Sequence, residues 1–155
     1  MSQVMSKIQG SSGMRFYRSF SPASRAALLF ALPFMLVDAI HYYTAGTALL
    51  LSFPLVALLY FTCGMLAAKL AKREGQEAGS LPRVGRSATL RLWLISTVLN
   101  TLVSVLLGFA SLGVTMLGGA LYLCLFAPLH ALGSALVGWL GGWVYQQYAW
   151  RIQEN

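Results

Sequence analysis

The sequence predicts an all-α integral membrane protein: four transmembrane helices in an antiparallel bundle, the last helix extending into the inner interface. Three observations lead there. Between Arg91 and Arg151 lie 59 consecutive residues without Asp, Glu, Lys or Arg, far more than a helix with one watered face sustains. Across 155 residues, 57% are hydrophobic and 10% charged, against about 25% charged in a soluble domain. The charges gather at the ends of apolar runs instead of alternating along them.

Residues 1 to 22 read as a cytoplasmic or interfacial segment. Gly10, Ser11, Ser12 and Gly13 oppose a long helix, while Met14, Phe16, Tyr17 and Phe20 are interleaved with Arg15 and Arg18. Such a mixture suits a membrane surface, with Arg heads at the headgroups and aromatic bodies in the interface. Ser21-Pro22 is a helix start signal: the serine can cap free N–H groups, and proline at the first helical position has no N–H to lose.

The first span is expected over residues 23 to 43 and the second over 47 to 70, each long enough for a hydrocarbon core of about 30 Å. The first ends in Asp38, His41, Tyr42 and Tyr43 rather than a small-residue cleavage site, so it does not read as a signal peptide. The second ends in Lys69, Lys72 and Arg73, with Lys69 close enough to snorkel. Pro33 and Pro54 fall inside these helices, where kinks are expected. Residues 74 to 88, rich in Gly and charge with Pro82 among them, are expected as a solvent-exposed loop. Glu74 and Glu77 there are solvated partners for Lys72 and Arg73.

A third span follows over 89 to 110, capped by Ser87, with Arg91 and Trp93 at the interface. Residues 111 to 115 form a tight outer turn. The apolar run from Met116 to Trp150 would be about 52 Å long as one helix. It is read as a span over 116 to 138 followed by an interfacial helix over 139 to 150, where Trp139, Trp143, Tyr145, Tyr148 and Trp150 mix with Gln146 and Gln147. A break near Pro128 to Ser134 into two short spans fits less well, since each would sit near the lower limit of about 17 residues. Residues 151 to 155 are a C-terminal tail. With four spans all eleven basic residues share one side, which by the positive-inside rule puts both termini in the cytoplasm of a multi-pass inner-membrane protein.

Polar residues inside lipid are costly and therefore informative. On the third helix Ser96, Asn100, Ser104 and Gly108 recur every four residues, with Thr97 alongside. The fourth carries Ala127, Ala131 and Ala135 on one row and Ser134, Gly138 and Gly142 on the next. Both read as helix-packing faces, where small residues permit close approach. His130 falls about 21 Å below the outer end, level with Ser96 and Asn100. It is expected to be neutral and hydrogen-bonded to that stripe. Asp38 and His41 share a helix face near the outer end, a candidate outer mouth for a cation or proton pathway.

Several functional classes find no support. GxSxG, HExxH, Gly-rich phosphate loops and paired carboxylates are missing from the sequence. Cys63 and Cys124 lie in apolar runs as small hydrophobes, not a disulfide framework. His41 and His130 differ too much in depth to ligate one haem, so no cofactor or metal is expected. The net charge of +7 fits anionic headgroups on the cytoplasmic side rather than nucleic acid. The reading is a non-catalytic packing or accessory subunit of a membrane complex or homo-oligomer. Its rival is a small transporter or channel with a polar path through Asp38, His41, Asn100 and His130.

Overall fold

The computed structural model describes residues 16, 17, 19 to 43, 49 to 107 and 127 to 153. Among these there are four long helices and no strand: α1 (Pro22–Tyr43), α2 (Leu49–Arg73), α3 (Leu81–Leu107) and α4 (Ala127–Gln153), with a 3-10 turn over Ala78–Ser80. The tail before residue 16, the stretch 44 to 48 between the first two spans, the expected outer turn at 111 to 115, the expected helix start at Met116, and Cys124 lie outside the described residues.

Ser21 stands at the head of α1, its Oγ accepting from the Ser24 N–H at 3.3 Å while its carbonyl accepts from Arg25 at 3.0 Å. Pro22 occupies the first helical position, where its fixed φ costs nothing. Helix α2 ends in a left-handed residue, Gly75 at φ 81. The Gln76 N–H bonds the Ala71 carbonyl at 3.1 Å and the Gly75 N–H bonds Lys72 at 3.0 Å, the paired reach-back of a Schellman stop.

Helix α3 begins at Leu81, eight residues before the expected start at 89, so the exposed loop shrinks to residues 74 to 80. Pro82 lies in the first turn, where a missing N–H is tolerated. Leu81, Gly85, Ala88, Thr89 and Leu92 face inward, while Arg83, Arg86 and Leu90 are exposed, a 3.6-residue rhythm that makes this basic stretch an amphipathic helix. Helix α4 runs unbroken from Ala127 to Gln153, so its described part has no interruption near Ser134.

The helices pack as an antiparallel array. Arg25 meets Glu74 and Phe34 meets Tyr60 across α1 and α2, and Leu81 lies against Gly142 across α3 and α4. Arg91 reaches Ser21, so α1 and α3 start at the same pole. That pole carries every described basic residue, from Arg25 through Lys69–Arg73 and Arg83–Arg91 to Arg151.

Alanines make up most of the core. Ala23, Ala26, Ala27, Ala31, Ala67 and Ala88 form the core with Phe34, Tyr60, Cys63 and Leu92, and Ala68, Ala71 and Leu81 make a second cluster nearer the basic pole. Meanwhile Leu32 is 79% exposed, and Leu29, Leu36, Leu58, Leu94, Val98, Leu129, Leu132 and Leu136 also point outward. By length and apolarity, one described stretch suffices to cross a membrane, the 20 residues Pro54–Arg73; the apolar part of α1, Pro22–Val37, is shorter. The apolar runs of the sequence predict four spans on the same grounds. Arg83, Arg86 and Arg91 in α3, and the Gly, Gln and aromatic residues of α4, lower the apolarity of those helices.

Candidate functional site

Three helices meet at glycine. A side chain on Gly64 of α2 would run into the backbone of Gly138 of α4, and one on Gly138 would come within 2.8 Å of the Gly85 carbonyl oxygen of α3 and collide with the Thr89 side chain. One turn on, a Cβ at Gly142 would lie 2.7 Å from the Leu81 oxygen and 2.9 Å from Pro82 Cα. Backbones this close require residues without side chains. Of the rows expected to pack, Ser134, Gly138 and Gly142 are buried and Ala127 is buried, whereas Ala131 and Ala135 are half-buried. The spacing of small residues pairs α3 with α4 but does not include Gly64, which brings α2 into the same crossing.

The hydroxyls on these helices turn to their own backbones. Ser96 Oγ donates to the Trp93 carbonyl at 2.9 Å, Thr101 Oγ1 to Thr97 at 2.7 Å, Ser134 Oγ to Ala131 at 2.8 Å, and Thr89 Oγ1 to Arg86 at 3.0 Å. A hydroxyl satisfied this way can be buried in apolar surroundings without a cross-helix partner. Asn100 and Thr97 are half-buried on α3. The side chains of Asp38, His41 and Ser104, and Gly108 altogether, lie outside the described residues.

His130 faces α2. Its Nε2 lies 3.2 Å from the Tyr60 hydroxyl, with the rings edge to face at 5.8 Å between centroids. Ser96, a member of the stripe expected to bond His130, donates its hydroxyl to Trp93 of its own helix. Tyr60 is 2% exposed and packs in turn on Phe34 of α1 at 5.0 Å, so an aromatic chain joins three helices across the core. The phenol donates to an unprotonated Nε2 or accepts from Nε2–H, according to tautomer. A signal for Tyr60 was present: it is the one hydroxyl-bearing aromatic deep in the second apolar run, about 15 Å from Leu70, and a buried phenol needs a partner.

At the basic pole Arg25 is 8% exposed and pairs with Glu74 just past the end of α2. Its guanidinium sits 6.0 Å from the centre of the Tyr17 ring, and the Tyr17 hydroxyl donates to the Arg25 carbonyl at 3.4 Å. The expected partners of Glu74 were Lys72 and Arg73, in solvent. The turn at Gly75 instead leaves it beside the start of α1. The pairing ties the chain before α1 and the end of α2 to one charged group, and no sequence pattern announces a contact between residues 49 positions apart. Among the described residues no three His, Cys, Asp or Glu side chains cluster as metal ligands would. Comparison with known proteins returns no matching family model, no matching curated protein and no matching solved structure.

Proposed function

We propose that this chain is a small multi-pass protein of a cytoplasmic membrane, with both termini on the cytoplasmic side, acting without catalysis as a packing or accessory subunit of a membrane complex or homo-oligomer. The observation that carries the reading is the run of small residues inside the bundle, mostly alanine and glycine beside a few large ones such as Phe34 and Leu92, while many leucines face outward. In water, contiguous apolar surface of this extent is a liability or a binding face. In lipid it costs nothing, and close packing of small residues becomes the main force between helices. The gathering of described basic residues at one pole supports the same orientation.

The transporter reading has less support. At the level of Gly64, Gly85 and Gly138 three backbones are in contact, which leaves no room there for a water-filled path. The nearby hydroxyls that would line one are bonded to their own helices.

Alkaline carbonate extraction of membranes expressing the chain tests the location. It should stay in the pellet and be released by detergent; release by carbonate overturns the reading. Proteoliposome flux with wild type and His130→Ala tests the role: a solute flux abolished by the substitution would replace the packing hypothesis with transport.

A further inference from the structure

We propose that the groove between α1 and α3 binds one anionic glycerophospholipid, with its phosphate on Arg91 and an acyl chain along Leu28, Leu94 and Ile95. The inference rests on the membrane reading above and adds a defined lipid site to it. The groove has a volume of about 190 Å³ and is lined by Phe20, Ser24, Leu28, Arg91, Leu94 and Ile95. Its polar groups sit together at the end nearer the basic pole. Ser24 precedes Leu28 by one turn of α1, and Arg91 precedes Leu94 and Ile95 by one turn of α3, and both helices start from that pole. Headgroup chemistry followed by acyl chemistry is the order a lipid presents from the interface inward.

Arg91 is held in place by two serines of the α1 start. Its Nη1 donates to Ser21 Oγ at 2.7 Å and also to Ser24 Oγ. Both bonds use one nitrogen, which leaves Nε and Nη2 as a fork matched to two phosphate oxygens. Orienting a guanidinium in advance removes part of the entropy cost of capturing an anion. No described carboxylate pairs with it, and Glu74 is engaged by Arg25. The surrounding pole is strongly basic, with Arg83 and Arg86 on exposed positions of the same helix, so the local charge selects an anionic over a zwitterionic lipid.

Native mass spectrometry of the delipidated full chain in mild detergent, titrated with phosphatidylglycerol, phosphatidylcholine or inorganic phosphate, tests the site. Wild type should retain one phosphatidylglycerol. Losing the two charge-assisted bonds in Arg91→Gln should weaken its retention about tenfold or more and erase the preference over phosphatidylcholine. Arg91→Lys, which keeps charge but not the fork, should fall between them. Leu94→Trp, filling the groove, should weaken both lipids, and Arg86→Gln, which only thins the surrounding charge, should change each by far less than Arg91→Gln does. Equal retention by wild type and Arg91→Gln overturns the site, as does an equal loss in Arg86→Gln, which would mean diffuse attraction to the pole. Inorganic phosphate displacing the lipid at equal concentration would make this a free-anion site and also overturn it. The carbonate extraction separates the two levels: a chain that leaves the membrane fails the underlying reading, whereas one that stays but shows no lipid preference fails only the site.

Discussion

The two faces of α4 differ in the size of their side chains more than in polarity. Inward it presents Ser134, Gly138, Gly141, Gly142 and Ala149, all buried; outward it presents Leu129, Leu132, Leu136, Trp139, Leu140 and Trp143, all exposed. A helix in a water-soluble bundle does the reverse, placing leucine inside and charge outside. The contrast shows what holds this helix in place. Burying apolar area cannot be the force when the larger apolar face is left out, so the contact depends on how closely backbones approach. Gly133 and Gly138, five residues apart, make the same point: a Cβ on the first would find nothing within 4 Å, whereas one on the second strikes a neighbouring helix.

The comparison can be broken most severely at Gly138. Replacing it by leucine forces α3 and α4 apart, and the chain should lose its cooperative thermal transition in detergent, a cost above the 1 to 3 kcal/mol or so of ordinary overpacking. Gly138→Ala should cost about 1 to 3 kcal/mol, read as a lower melting temperature by circular dichroism. Tyr60→Phe deletes the hydroxyl that meets His130 and should cost about 1 kcal/mol, with a perturbed imidazole resonance in NMR as the specific sign. On the outer face, Leu132→Ala or Leu136→Ala should change detergent stability by no more than about 0.5 kcal/mol. A buried leucine truncated the same way would cost roughly 2 to 5 kcal/mol, so a loss of that size at Leu132 would show that its face is covered by a partner. Gly133→Ala should run the other way, stabilising α4 by about 0.5 to 1 kcal/mol through helix propensity alone.

Part of this was legible in the sequence, and the rest was hidden for physical reasons. Four helices follow from four apolar runs, and Ser21-Pro22 marks a start because capping is a local matter of adjacent residues. The row Ser134, Gly138 and Gly142 was visible through its spacing. The first two turns of α3 were not: Pro82, Gly85 and the charges in the surrounding loop suggest a break until one sees that the proline is in a first turn and the glycine lies against α4. Tertiary contact overrode local propensity there. Arg25 with Glu74, and Tyr60 with His130, join residues distant in the chain, and a partner of that kind is not encoded in periodicity. Depth matching set His130 between the levels of Ser96 and Asn100 on α3 but did not single out Tyr60 of α2 as a partner.

The short link from Gly75 to Ser80 has a consequence for the order in which the chain is made. Helices α2 and α3 precede α4 in the chain and so emerge from the ribosome ahead of it, with Gly64 and Gly85 as the two residues that Gly138 closes on. Until Gly138 arrives, those two glycines lack the backbone that they lie against in the folded chain. Helix α4 therefore arrives at a place whose shape its two neighbours have already set.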